Sequence, residues 1–349
     1  MNVRDNRFDI LKGILIILVV LGHALQYGFG SSWMDSGAFM EDKLFQGIYS
    51  FHMPLFMLIS GYFFRHTNIR PFGKVLWSKC VSLLIPWAVF FILLSSATIA
   101  GVFKSAGFVE GISKTVHLAL NFMWFLPALF FNVLVVGVMT RILTNKTLQC
   151  IVLAFMAIAM LFLPRGVVPS TYIFVFPFFV LGYYANSYWE KITSLLSQLP
   201  VFLCLTVLFA VSVVLYRSEW LVYSTGVALV NGGFFSLSQA GVDMIRFVVG
   251  IIGCAWLESA VYLFAGNNGK GILSCLGRET MGIYGIQTVC FVLIQKVFTA
   301  SGVEITYNFI TPFLLASAVL FVSHLSVILL SKTKVTALLF LGDRNLIKK

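Results

Sequence analysis

Long apolar runs separated by short polar or charged breaks dominate the chain. A helix needs about 20 mainly apolar residues to cross hydrocarbon, because unsatisfied peptide groups cannot be left in lipid. On that criterion the pattern predicts ten spans, near residues 10–27, 44–64, 79–100, 118–140, 148–163, 171–187, 199–216, 241–264, 280–298 and 309–331. The stretch 220–239 resists the scheme. It is apolar but interrupted by Ser224, Thr225, Asn231, Gly232, Gly233 and Ser236, and reads as a re-entrant or interfacial segment. No linker or composition shift marks a second domain, so residues 1–349 are expected to form a single transmembrane domain with a short polar cytoplasmic tail over 332–349. The predicted fold class is an all-α integral membrane protein, a bundle of about ten transmembrane helices.

Composition sharpens this. Of the 349 residues, 59% are hydrophobic and only 11% are charged, against about a quarter charged in an average soluble domain. A water-soluble globule of this size could not hide so much apolar surface. The net charge of +11 would point to nucleic acid in a soluble protein, but basic residues of membrane proteins collect in cytoplasmic loops, so here the charge reports topology and no nucleic-acid partner is expected. With the N-terminus inside, the cytoplasmic side holds most of the basic residues, including Arg4, Arg7, Lys12, Arg65, Arg70, Lys270, Lys348 and Lys349. Lys43, Lys104, Lys114, Arg165, Arg217, Arg246 and Lys296 remain opposite, so both termini are expected to be cytoplasmic. The first apolar run carries Lys12 and His23 and has no small-residue cleavage site, which predicts a retained first span rather than a signal peptide. Six dispersed cysteines without CxxC spacing, and five dispersed histidines, indicate neither a disulfide framework nor a metal centre.

Polar residues inside apolar runs are the candidates for chemistry. Lys12 and His23 are eleven residues apart. At about 100° per residue they return to nearly one helix face, roughly 16 Å apart along the axis. The plain alternative is a snorkelling lysine and a histidine satisfied within the bundle. In Ser50-Phe51-His52-Met53-Pro54, the proline frees a carbonyl and kinks the span. His52 then lies about 12 Å deep, at a level comparable with His23. Two imidazoles at one depth suit removal of a hydroxyl proton near neutral pH. Ser60-Gly61 reads equally as small-residue packing. Trp124 is either an interfacial anchor or an N–H donor lining a cavity. Asp243 and Arg246 are spaced to pair on one helix face, and Gln287 is either helix glue or a substrate contact. His324 reads as a satisfied core histidine. No P-loop, nucleophile elbow or HExxH helix is present, which favours a mechanism without a bound cofactor or metal.

Taken in order, Arg7-Phe8-Asp9-x-x-Lys12 with Gly22-His23, Phe51-His52-Met53-Pro54-Leu55-Phe56 with Ser60-Gly61-Tyr62, Trp124-Phe125-Leu126-Pro127, and Leu276-Gly277-Arg278 with Ile283-Tyr284 resemble the acyltransferase 3 family over most of the chain. The resemblance implies an enzyme of the bacterial cytoplasmic membrane that passes an acyl group, usually acetyl, from cytoplasmic acyl-CoA to a hydroxyl of a cell-surface or lipid-linked carbohydrate. Acyl-CoA, the carbohydrate acceptor and membrane lipid are then the expected partners, with acetyl-CoA a substrate rather than a resident cofactor. The family's basic-residue-x10-His signature falls on Lys12 and His23, where many members carry Arg in place of the lysine. The late motif often ends in His, and here Gln287 stands there. On this reading His23 and His52 are catalytic, Arg7, Lys12, Ser60 and Arg65 hold acyl-CoA, and Trp124, Arg246 and Gln287 meet the acceptor or the oxyanion. The alternative from a different class is a transporter or flippase for a lipid-linked sugar, with the buried polar residues forming its path.

Overall fold

The computed structural model describes residues 5–231, 234–266 and 271–344. Arg4, Lys270, Lys348 and Lys349 of the charge balance, Gly232 and Gly233 of the interrupted stretch, and the end of the 332–349 tail lie outside the described residues. Helices carry almost all of the rest. They are α1 Arg7–Tyr27, α2 Ser31–Ser36, α3 Lys43–Thr67, α4 Phe72–Lys79, α5 Ile85–Asn121, α6 Phe125–Ile142, α7 Lys146–Met160 and α8 Ser170–Ala185. Then come α9 Trp189–Leu196, α10 Leu199–Leu215, α11 Val222–Thr225, α12 Leu237–Phe264, α13 Ile272–Arg278, α14 Thr280–Ser301, α15 Ile310–Leu330 and α16 Lys334–Leu341. A two-residue antiparallel pairing joins Val230–Asn231 to Phe234–Phe235.

Among the described residues, seven helical runs are long and apolar enough to cross a bilayer: α1, α3, the run Phe72–Asn121 that joins α4 to α5, α6, α12, α14 and α15. The protein is therefore a multi-pass membrane protein. The other three expected spans coincide with α7, α8 and α10, of 15, 16 and 17 residues, each short of the roughly 20 that hydrocarbon requires. The helices from Ser170 to Leu196 and α10 meet at a 93° bend. The expected span 118–140 starts late. Helix continues through Asn121 and restarts only at Phe125. Within α5, Gly107 has φ 74°, a conformation that a side chain disfavours, and there the chain folds back to set Phe103 against Gly111.

α1 is the hub of the bundle. A helix that is apolar all round is driven into the interior rather than to a surface, and Leu11, Leu15, Val20 and Ala24 are wholly buried. α3, α12, α13, α14 and α15 all pack on it. Backbone-to-backbone contacts fix two of the helix pairs. A Cβ on Gly13 would stand 2.0 Å from the Leu273 carbonyl oxygen, and one on Gly277 would stand 1.7 Å from that of Asp9, so only glycines let α13 lie this close to α1. Likewise Gly61 of α3 abuts the Phe179 carbonyl and Gly182 of α8 abuts that of Leu58. Small residues at helix crossings are how membrane bundles gain close packing without a hydrophobic driving force.

Two ends of the bundle follow. Arg7, the C-terminal turns of α3 and α12, and the start of α14 share one end, where Phe8 packs on Tyr62 and Trp189 and Arg7 lies over the Tyr262 ring. The opposite end carries residues 217–236, hereafter the cap. Among its described residues this segment forms no spanning helix; they make a turn at Ser218–Trp220, the four-residue α11 and the short strand pair.

Replacing Gly182 by Val would drive a side chain into the Leu58 carbonyl. Overpacking of this kind costs about 1–3 kcal/mol even where side chains can yield, and backbone cannot. A markedly lower melting temperature in detergent is expected; a wild-type melting profile would show that α3 and α8 are not held as described.

Candidate active site

The α1 face that begins at Lys12 passes through Ile16 and Val19, and these three line a cavity of about 160 Å³. Opposite them, α3 contributes Met53, Phe56 and Ser60, α6 contributes Phe125, Leu126 and Leu129, and α14 contributes Thr280, Met281 and Tyr284. Lys12 is the cation at this space, held by an ion pair to the buried Asp9 carboxylate at 2.7 Å. The Ser60 hydroxyl donates to the Phe56 carbonyl at 2.8 Å, one turn back, which leaves only its lone pairs for a ligand. The structure thus brings Lys12 and Ser60 to one cavity. Arg7 and Arg65 do not line it. Each lies at the same end of the bundle over an aromatic ring, Arg7 4.8 Å from the Tyr262 centroid and Arg65 4.8 Å from that of Tyr183.

One turn beyond Val19 on the same face stands His23. Its ring packs between Tyr27 and Phe291, and its buried Nδ1 has no hydrogen-bond partner among the described residues. Gly22 makes room for the Tyr49 ring, whose edge would lie 2.6 Å from a Cβ there. Tyr49 in turn meets the His52 ring edge-on at 4.9 Å. The two histidines therefore stand on facing turns of α1 and α3 with Tyr49 between them. His52 Nδ1 lies 2.7 Å from the Ile48 carbonyl. A carbonyl can only accept, so Nδ1 carries the proton and a neutral His52 keeps its lone pair on Nε2. Pro54 produces the expected free carbonyl at Ser50, and Gly250 of α12 packs 3.4 Å from it at the Cβ position.

Trp124 sits at the break between α5 and α6, where Met123 adopts φ 43°, the one non-glycine residue with positive φ among those described. Strained backbone of this kind persists where surrounding structure over-determines it. The break places Trp124 6.4 Å from the ring of Tyr223, which α11 of the cap delivers, and Tyr223 also meets Tyr49 at 5.6 Å. Tyr27, Tyr49 and Tyr223 were not singled out by sequence reasoning, and Tyr284 entered only as part of the late motif. Tyr49 lies three residues before His52 and Tyr27 four after His23, so helical spacing was a usable signal; nothing local pointed to Tyr223.

Gln287 is buried on α14, one turn from the Phe291 that packs on His23. Its amide nitrogen donates to the Tyr284 carbonyl and Thr288 hydroxyl, both at 3.3 Å, while its Oε1 has no partner among the described residues. Arg246 is elsewhere. Fully buried at the start of α12, it pairs with Asp243 at 2.8 Å, as the spacing suggests, and spends its remaining donors on the cap. Nε reaches the Trp220 carbonyl, Nη1 that of Gly226, and Nη2 those of Glu219 and Leu221 together with the Thr225 hydroxyl. It pins the segment that carries Tyr223.

Neither His23 nor His52 lines the cavity itself; His23 stands one turn beyond its α1 wall. Residues 5–332 match the acyltransferase 3 family model, described as an acyltransferase domain, and the chain belongs to that family of membrane acyltransferases. It is similar to nodulation protein NolL of Sinorhizobium fredii (strain NBRC 101917 / NGR234), with 35% identity over 211 residues, 58% of this chain and 55% of that protein. Nodulation protein NolL of Mesorhizobium japonicum (strain LMG 29417 / CECT 9101 / MAFF 303099) is 32% identical over 184 residues, 52% of this chain and 48% of that one. The matched region spans about half the length of these curated relatives. No solved structure matches.

Arg246→Met would leave the Asp243 carboxylate buried without its cation, a loss of about 3–5 kcal/mol for such pairs. The cap should then become the first site of limited proteolysis, between residues 217 and 236, with Asp243→Asn milder. Equal protease resistance in both variants would mean that other contacts hold the cap.

Proposed function

We propose that this protein is an O-acyltransferase of the bacterial cytoplasmic membrane that moves an acetyl group from cytoplasmic acyl-CoA to a hydroxyl of a cell-surface or lipid-linked carbohydrate. The observation that carries the reading is the continuous α1 stripe Lys12–Ile16–Val19–His23, whose first three members wall the cavity. A phosphate-bearing donor meets the cationic end, with Arg7 and Arg65 on the same side, and its thioester runs along the apolar wall toward the imidazole. Both termini and the Arg7 end face the cytoplasm on this reading, in keeping with the charge bias.

The chemistry is a displacement. His23 takes the proton of the acceptor hydroxyl as its oxygen attacks the thioester carbonyl; the tetrahedral oxyanion collapses, the C–S bond breaks, and the proton passes to the departing CoA sulfur. A neutral histidine needs a defined tautomer for this. Gln26, three residues on along α1, hydrogen-bonds the ring and is suited to fix its tautomer, while the unpaired Oε1 of Gln287 on the neighbouring helix is free to orient the acceptor. Gln287 itself cannot serve as a base, so it acts as a positioning residue. His52 keeps its Nε2 lone pair for a second proton acceptor or for orienting the sugar. Tyr223 and Tyr284, whose hydroxyls are hydrogen-bonded by Trp124 and by the Phe125 backbone, are the candidates to donate to the oxyanion, with Trp124 positioning Tyr223. The acceptor enters from the cap end past Tyr223, and Arg246 serves it through the cap rather than through its own occupied donors.

Membranes containing the protein, given radiolabelled acetyl-CoA, should transfer label to the glycan fraction. His23→Ala should lower transfer about 10²–10⁴-fold, the usual worth of a general base, and unchanged labelling would remove His23 from the chemistry. Movement of sugar across the membrane with no label transferred would instead support the transporter reading.

Lys12 has a separate expectation. Its replacement by Ala should raise KM for acetyl-CoA about ten- to a hundredfold, the worth of one hydrogen bond to a charged group, with Lys12→Arg recovering most of it. An unaltered KM would assign the donor phosphates to other residues.

A further inference from the structure

Three side chains that do not line the cavity but carry metal-ligating atoms converge where α13, the start of α14 and α15 meet. His324 Nδ1 lies 2.6 Å from Glu279 Oε2, and Cys275 Sγ lies 3.6 Å from Glu279 Oε1. One ligand atom from each of the three falls within 4.8 Å of the other two, and all three residues are half-buried. Cys275 and Glu279 are a turn apart on neighbouring elements, whereas His324 arrives from a helix 45 residues further on. That separation is why cysteine and histidine spacing in the sequence gave no sign of a cluster.

We propose that Cys275, Glu279 and His324 form a binding site for a divalent transition-metal cation of the zinc class, which fastens α13 and α14 to α15.

The donor set selects the class. One sulfur, one imidazole nitrogen and one carboxylate oxygen make a borderline-soft site, whereas magnesium and calcium call for oxygen alone. Zinc bonds of about 2.0–2.3 Å require tetrahedral ligand atoms to stand roughly 3.3–3.7 Å apart; the imidazole contact to Glu279 Oε2 must open by about 0.7 Å, and because the thiol contact is to the other oxygen, Oε1, the carboxylate turns slightly to present one oxygen to the ion. A divalent cation would bind the thiolate sulfur, the imidazole nitrogen and a carboxylate oxygen, and any protons it displaces from them go to solvent. Three protein ligands leave a fourth position for water. Without a metal, the same atoms form a hydrogen-bonded ion pair with a thiol beside it, and a cation would then change nothing.

The test uses the full-length protein, purified in detergent, freed of any affinity tag and washed with chelator. Equilibrium dialysis against Zn²⁺ should show about one equivalent per chain, and Co²⁺ should give a thiolate-to-metal charge-transfer band in the near ultraviolet with visible bands of a tetrahedral ion. Cys275→Ser, nearly isosteric, should abolish the charge-transfer band and weaken Zn²⁺ binding at least about tenfold. His324→Ala should lose the tetrahedral spectrum, and added Zn²⁺ should raise the melting temperature of the wild type but of neither variant. No zinc retained by the wild type, or zinc retained equally by both variants at an unchanged melting temperature, would overturn the proposal. Because no acyl transfer is measured, the result stands apart from the catalytic reading.

Discussion

Lys12 and His23 can occupy the bilayer only because the helix that bears them is enclosed by other helices. In hydrocarbon an uncompensated charge or polar atom costs several kcal/mol, and α1 meets that constraint by being apolar on every other face and surrounded by α3, α12, α13, α14 and α15. The ion pair to Asp9 keeps the lysine at the mouth of the cavity. His23 is left with a buried nitrogen that has no partner among the described residues, an arrangement that costs about 1–3 kcal/mol where it persists. Such a group is uncommon in native cores, and a substrate or an ordered water is what ordinarily satisfies one.

Much of the architecture was legible in the sequence. The ten apolar segments are helical over most of their length, because the need to satisfy backbone groups in lipid leaves few alternatives to helix. The count of full-length spans is less direct: α7, α8 and α10 have the apolar character but stop short of a bilayer thickness, and a window of hydropathy does not register where a helix bends or ends. The break at Phe122–Trp124 shows the same limit. The run there stays apolar, and only the backbone at Met123 interrupts it.

Within the site, what could be read was what lies on one helix. Lys12 with His23, and Asp243 with Arg246, follow from residue spacing along a single axis. What could not be read depends on which helices meet. Tyr223 reaches Tyr49 and Trp124 from a cap that Arg246 helps to hold over the bundle, and the five acceptors outside α12 that occupy that guanidinium sit 20 to 27 residues before it in the chain. Cys275, Glu279 and His324 belong to the same class of juxtaposition.

The glycine contacts bear on how such a machine can move. Where Gly13 and Gly277 lock α13 to α1, and Gly61 and Gly182 lock α8 to α3, main chain rests directly on main chain with no rotamer between to absorb a shift. Each pair can translate only as a solid block. Any opening of the bundle must then be taken up between these blocks rather than within them.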